Sequence, residues 1–295
     1  MKQEESLGIQ WYPGHMTKTR RMMEENLKQV DAVCELLDAR IPYSSRNPDI
    51  AAICGQKPRM VILNRADLAD PGETARWLGY FHGQGLTAIQ TDCKSRKGIS
   101  GFEPAVRVLL AEKLRRYAEK GQAGRPLKLM IVGIPNVGKS TLINQISGRK
   151  GAKAENRPGV TRGKQWVTVS QELLLLDTPG ILWPKFDDPE VGIKLAYTGA
   201  VKDDVLDMEG LACHLMRRLF LRYRAAVDAR YGLSEQPAEA EGYALLEVAG
   251  RKRGFLLRGG EIDTERMARV LLEEYRAGKL GRLTFEGPEE CGGQP

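Results

Sequence analysis

Four short, largely apolar runs, residues 33–37, 60–63, 127–132 and 173–176, each end in a polar or glycine-containing turn. Runs of that length without an alternating polar face predict strands buried on both sides of a parallel sheet, with functional loops at their carboxyl ends. Between them, residues 72–81, 102–120 and 140–147 carry helical spacing. Alternation of this kind predicts a doubly wound α/β domain. Beyond about residue 200 the strand pattern stops. Met208, Leu211, Leu215 and Leu219 recur at three- and four-residue steps, as do Met267, Val270, Leu271 and Tyr275, with Asp263 placed to cap a helix and Gly278 to stop it. The expected organisation is an N-terminal segment and helix over 1–30, an α/β domain over 31–200, and a small all-α domain over 201–295.

Composition agrees with two globular domains: 295 residues, 42% hydrophobic and 28% charged, are enough for real cores. No apolar run approaches the roughly 18 residues that span a bilayer. The polar start, with Glu4 and Glu5, resembles neither a secretory signal nor a transit peptide, so a cytoplasmic location and no membrane partner are expected. Cys34, Cys54, Cys93, Cys213 and Cys291 are scattered without paired spacing, which predicts reduced thiols and no zinc site. The net charge of +7 is local: residues 1–200 hold 30 Lys and Arg against 21 Asp and Glu, whereas 201–295 hold 15 against 17. Charge alone leaves nucleic-acid binding and a solvated face equally open.

The chemistry starts at Gly133-Ile-Pro-Asn-Val-Gly-Lys-Ser140, a G-x-x-x-x-G-K-[ST] phosphate loop set after an apolar strand and before a helix. In such a loop the backbone at Asn136, Val137 and Gly138 wraps phosphates, Lys139 neutralises the β and γ oxygens, and Ser140, followed by Thr141 on the helix, reaches Mg²⁺ and phosphate. Downstream, Asp177-Thr-Pro-Gly180 ends another apolar run. Asp177 is placed to hold Mg²⁺, and the Gly180 amide to meet a γ-phosphate. Between the two, Thr161 in a basic segment reads either as a switch threonine that closes on Mg²⁺ and triphosphate or as a simple loop hydroxyl.

Asn64-Arg-Ala-Asp67 follows the strand at 60–63 and resembles the N-K-x-D motif that reads guanine. Asp67 can accept two hydrogen bonds from guanine, which adenine cannot donate, so Asn64, Arg65, Ala66 and Asp67 point to GTP and GDP. Arg65 stands where lysine is usual; its stem can cover the base and its guanidinium can stack. Asp92-Cys93-Lys94 occupies the position of a second base loop, whose backbone contacts the base. The base motif precedes the phosphate loop, the reverse of the usual order. The expected fold is therefore a circularly permuted P-loop GTPase domain with a parallel-rich sheet, in which the switch strand leads straight into the helical domain.

With these motifs assembled, the chain resembles the circularly permuted ribosome-biogenesis GTPases. The resemblance extends over Ile9-Gln-Trp-Tyr-Pro-Gly-His-Met16, Leu37-Asp-Ala-Arg-Ile-Pro42, Ser45-Arg-Asn-Pro48, Gly180-Ile-Leu-Trp-Pro-Lys185 and Gly250-Arg-Lys-Arg-Gly254. It implies slow GTP hydrolysis stimulated by the ribosome, late maturation of the large ribosomal subunit, and a precursor subunit and its rRNA as partners of a monomer, with no DNA. Ile181 stands where a water-orienting glutamine is found in Ras-like enzymes, and the resemblance points to His15 as its replacement; packing or RNA contact is the other role open to His15. Asn136 resembles a K⁺-holding asparagine and equally suits a loop cap. Arg217, Arg218 and Arg222 with Arg224, and Arg251, Lys252 and Arg253 with Arg258, form two basic patches that fit RNA phosphates. The basic segment around Thr161 is expected to order against rRNA with GTP bound. A small-subunit GTPase and an RNA-binding module with negligible turnover remain the alternatives.

Overall fold

A computed structural model describes residues 16–148, 165–183, 186 and 188–293. Their contacts divide the chain into two compact units, one of residues 16–183 with 284–293 and one of residues 186–283.

In the first unit, β1 (Ala32–Asp38), β2 (Arg59–Asn64), β3 (Thr87–Gln90), β4 (Leu127–Gly133), β5 (Gln165–Ser170) and β6 (Leu173–Asp177) form a single sheet in the order β3-β2-β1-β4-β6-β5. All neighbouring pairs run parallel except β5 with β6. The apolar runs explain the central strands: every residue of β1 is buried, because helices cover the sheet. Met23 and Leu27 of α1 (Met16–Leu27) and Ile50 of α2 (Asp49–Cys54) pack on Val33, Met130 and Val132. Trp77 and Phe81 of α3 (Pro71–Gly83) pack on Leu37, Val61 and Leu63. Since α1 shares this core, it is part of the α/β unit and not a separate N-terminal element.

Three further expectations change. The helix expected over 102–120 is two, α4 (Phe102–Leu109) and α5 (Ala111–Glu119), because Leu110 leaves helical geometry and stays buried after Phe102 and Val106. None of the α5 residues is buried, so nothing holds the two on one axis. Strand β5 gave no apolar run because it is an antiparallel edge strand with Val167 as its buried residue. The helical unit begins before residue 201, since α7 (Pro189–Tyr197) is buried along nearly its whole length and is capped by Asp188, which accepts from the Glu190 amide at 2.9 Å. Its end also differs: residues 284–293 return to the α/β unit, where the Trp77 indole donates to the Glu286 carbonyl at 2.9 Å.

The helical unit contains α7, α8 (Met208–Arg222), α9 (Arg224–Tyr231), α10 (Gly242–Lys252) and α11 (Thr264–Arg276). Leu211, Leu215 and Leu219 are buried on α8, as expected from their spacing, with Leu245, Leu246 and Ala249 on α10 and Met267 and Leu271 on α11. Asp263 caps α11 by accepting from the Arg266 amide at 2.9 Å. Gly242 lets α10 start against α8, since a Cβ there would lie 2.2 Å from the Cys213 carbonyl oxygen. On α11, Glu274 is buried and accepts from Arg230 Nε at 2.9 Å, the Tyr231 hydroxyl at 2.8 Å and Arg253 at 3.2 Å. These donors, Arg230 first, hold its carboxyl down to about 2.

A carboxylate lowered in the folded state contributes stability that is present above the ordinary glutamate range and lost as pH falls towards that value. Hydrogen exchange of the α11 amides should therefore accelerate several-fold as pH is taken from 5 towards 2, after correction for intrinsic rates. Glu274→Gln should start faster at pH 5 and depend less on pH; identical profiles in both proteins would contradict this.

Candidate nucleotide-binding site

The sheet turns its direction of winding between β1 and β4: β2 and β3 follow on one side, β6 and β5 on the other. Parallel strands leave a crevice at their carboxyl ends at such a point, and loops from both sides open into it. The phosphate loop enters from β4 and the base motif from β2, so the reversed chain order still brings them to one place.

Both approaches are close. A Cβ on Gly133 would lie 2.5 Å from the Leu36 carbonyl oxygen, and one on Gly138, with φ +100°, 2.6 Å from Asn64 Nδ2. The Asn64 amide donates to the Val137 carbonyl at 2.8 Å, and its oxygen accepts from Thr91 Oγ1 at 3.0 Å and Cys93 Sγ at 3.2 Å. Asn64 thus ties the phosphate loop to both base loops. The Arg65 guanidinium donates to the Asn136 carbonyl at 2.5 Å and lies 3.9 Å from Asp38 Oδ2. It braces the phosphate loop, a role that stacking on a base does not require.

Lys139 is buried, and its ammonium donates to the carbonyls of Ile134 at 2.8 Å and Gly133 at 3.1 Å. Burial lowers its pKa to about 8, against the opposing pull of Asp177. A cation held in this way gains from an anion beside it. Asp177 accepts from Ser140 Oγ at 2.9 Å through Oδ2, while its buried Oδ1 has no hydrogen-bond partner among the described residues. Burial pushes this carboxyl up, and Ser140 and Lys139 oppose it. A buried, unsatisfied carboxylate oxygen next to a hydroxyl fits Mg²⁺, so Ser140 and Asp177 would hold the ion, which supplies charge neutralisation on the phosphate oxygens. Thr141 follows on α6 (Lys139–Ser147), the helix that opens directly from Gly138.

Gly180 is pressed onto the phosphate loop: a Cβ there would sit 2.7 Å from Pro135 Cα and 3.1 Å from Lys139 Nζ. The Ile181 amide donates to the Gly133 carbonyl at 3.1 Å, while its side chain is buried with Met23, Leu27, Met130 and Leu176. An apolar side chain packed in the core cannot orient water.

On the base side, the Ala66 amide donates to the Thr91 carbonyl at 3.1 Å. Asp92 closes its own turn by accepting from the amides of Lys94 at 2.7 Å and Ser95 at 3.2 Å, and from the Ser95 hydroxyl. Cys93 is buried and its thiol is pushed up to about 12, chiefly by burial, so it acts as a packed hydrogen-bond donor and not as a nucleophile. The half-buried Asp67 carboxyl is raised by burial and by Asp92, with Lys94 and Arg65 opposing.

His15 and Thr161 lie outside the described residues. Asn136 has φ +58°, the left-handed conformation that asparagine tolerates, and contributes its carbonyl to Arg65. In the helical unit the two basic patches are largely committed to the fold. Arg218 pairs with Glu190, and Arg253 with Glu274. Arg217 donates to the carbonyls of Ala238 and Ala240, Lys252 to that of Gly232, and Arg224 to those of Ser234 and Gln236. Arg222 lies 6.0 Å from the Tyr223 ring, and Arg251 is exposed at the end of α10. Sequence spacing cannot distinguish a solvent-facing arginine from one that closes a loop.

Two residues of the site had no role assigned from sequence. Asp38, at the end of β1, is buried and accepts from Arg40 through its amide at 3.0 Å, Nε at 2.9 Å and Nη2 at 2.7 Å. Burial disfavours its charge, yet Arg40 and Arg65 hold the carboxyl below the ordinary aspartate range. A charged pair, Asp38 and Arg40, at the end of a largely apolar strand was the available signal.

Gly180→Ala should push Pro135 and the loop after β6 apart, and with them the amide expected to meet a third phosphate. Affinity for a non-hydrolysable GTP analogue should fall about tenfold or more relative to GDP, as for loss of a charge-assisted hydrogen bond. An unchanged GTP-analogue to GDP ratio by calorimetry would show that Gly180 has no such role.

Residues 128–227 match the family model described as "50S ribosome-binding GTPase". The chain is 47% identical over 286 residues to ribosome biogenesis GTPase A of Bacillus cereus, covering 97% of this chain and 96% of that protein. It is 34% identical to mitochondrial ribosome-associated GTPase 1 of the mouse, covering 94% and 89% respectively. Among solved structures, the GDP-bound YlqF of TM aligns with a TM-score of 0.62 and 29% identity, covering 91% of this chain and all of that one. The GNP-bound YlqF from T. maritima aligns with 0.61 and 29%, covering 92% and 99%. With its base motif ahead of its phosphate loop and both directed to one crevice, the chain belongs to the ribosome biogenesis GTPase A family, circularly permuted enzymes that bind GTP and hydrolyse it in ribosome assembly.

Proposed function

We propose that this GTPase acts late in maturation of the large ribosomal subunit, binds its rRNA in the GTP state, and turns over slowly until the precursor subunit stimulates it. The likeness to ribosome biogenesis GTPase A over 97% of the chain carries this reading. The burial of Ile181 in the core supports the slow step, because the residue after Asp177-Thr-Pro-Gly180 contributes nothing to the attacking water. His15 supplies that function when the subunit is bound, and Thr161 closes on Mg²⁺ and the γ-phosphate. Asn136, already in a left-handed turn of the phosphate loop, holds K⁺, which adds charge where the transition state needs it.

RNA contact falls to exposed cations of the two patches, Arg251 and Lys252 at the end of α10 and Arg222 at the end of α8. Arg217, Arg218 and Arg253 contribute through shape, since their guanidinium groups hold neighbouring carbonyls and carboxylates. The protein works as a monomer in the cytoplasm, with no membrane or DNA partner. No described helix is long and apolar enough to cross a membrane.

Single-turnover GTP hydrolysis tests this reading with protein alone, with large subunits or their precursors, and with small subunits. Large subunits should raise the rate tenfold or more in K⁺, less in Na⁺ at equal ionic strength, and small subunits should not. His15→Ala should retain GTP affinity and lose the stimulation. Equal stimulation by both subunits, or none by either, would overturn the proposal.

A further inference from the structure

The segment that returns from the helical unit is bonded into the α/β unit more deeply than a trailing end requires. Thr284, Phe285 and Glu286 are each at most 1% exposed. The Thr284 hydroxyl oxygen accepts from the Asp70 amide at 3.0 Å and faces the Ala39 carbonyl at 3.3 Å. The Phe285 amide donates to the Arg40 carbonyl at 2.9 Å. The Glu286 carboxylate accepts from the Ser44 amide at 2.9 Å and from the Ser44 hydroxyl. Every one of these partners but Asp70 lies in the turn that follows β1.

That turn is bonded in its other direction to the nucleotide site, along two separate lines. Ala39 donates its amide to the Asn64 carbonyl at 2.9 Å, and the Asn64 side chain donates to the Val137 carbonyl at 2.8 Å. Arg40 grips Asp38, Asp38 lies 3.9 Å from Arg65, and Arg65 donates to the Asn136 carbonyl at 2.5 Å. The two lines start at adjacent residues, 39 and 40, and finish on adjacent carbonyls of the phosphate loop. A buried ion pair is a poor way to gain stability, because desolvation of both charges offsets their attraction, so the Asp38–Arg40 pair calls for a geometric role.

We infer that residues 284–286, acting through the turn Asp38-Ala-Arg40, hold the Asn136 and Val137 carbonyls in the conformation that receives the nucleotide, which makes Asp38, Arg40 and Glu286 positioning residues for GTP. None of them touches the nucleotide. The segment joins directly to the last residue of the helical unit, so a pull on that unit's carboxyl end reaches the phosphate loop through hydrogen bonds and the Asp38–Arg65 ion pair. The inference rests on guanine-nucleotide binding in the crevice, which the unmodified protein tests by itself.

The experiment measures GDP dissociation from the full-length protein with a fluorescent GDP analogue, together with hydrogen exchange at the amides of residues 137–139. Glu286→Gln keeps the shape of the side chain and weakens its hold on Ser44. Arg65→Met, at a partly exposed position, cuts the second line without leaving a buried charge in the core. Each should speed GDP release by about fivefold or more, within the range of ordinary coupling energies. Each should also accelerate exchange at 137–139 while β5 and β6 keep their protection. The double variant should fall short of the product of the two single effects, because Glu286 acts in part through the line that Arg65 completes. GDP release unchanged in Glu286→Gln, accelerated exchange spread evenly over the whole unit, or fully additive effects would each overturn the inference. If unmodified protein fails to bind GDP, the failure lies with the nucleotide site and not with the segment.

Discussion

The architecture depends on one buried amide. Asn64 stands at the carboxyl end of β2, and its side chain is bonded at once to the phosphate loop and to the loop after β3. These three segments are far apart in sequence, and only a parallel sheet that changes winding direction between β1 and β4 can deliver them to one point. A buried amide that loses such a partner costs roughly 1–3 kcal/mol, which makes the junction demanding of geometry and tolerant of chain order. Permutation is therefore inexpensive here: the connections move, and the bonds at the crevice do not.

Much of this was legible in the sequence, for definite physical reasons. A strand buried on both faces is largely apolar, so β1, β2, β4 and β6 were visible as runs. A phosphate loop needs glycine where backbones approach, and Gly133 and Gly138 stand where a Cβ would strike Leu36 and Asn64. What escaped was whatever depends on partners distant in sequence. Strand β5 is an edge strand and has little to bury. Helix α7 carries an apolar face that reads equally well as the end of one domain or the start of the next. Arg218 and Arg253 were grouped with an RNA-facing patch because spacing reports which face a residue occupies, while the structure shows Glu190 and Glu274 holding them.

The return of residues 284–293 to the α/β unit changes how the chain is understood. The helical unit is an insertion between the loop that follows Asp177 and a segment buried beside the base motif. Both sides of it therefore continue into the α/β unit, where Gly180 lies against Pro135 and residues 284–286 are bonded to the turn after β1. In the usual order of motifs the switch strand leads back into the same domain. Here it leads out of it, and the change of phosphate state has a covalent path to a second unit.

The central claim is that the stretches around Asn64 and Lys139 make one pocket selective for guanine. Calorimetric titration of the nucleotide-free protein with GDP and with ADP, in the presence of Mg²⁺, tests it most directly. The account predicts GDP binding at least about a hundredfold tighter than ADP, since adenine leaves the Asp67 carboxylate without its donors. Comparable affinities would contradict it.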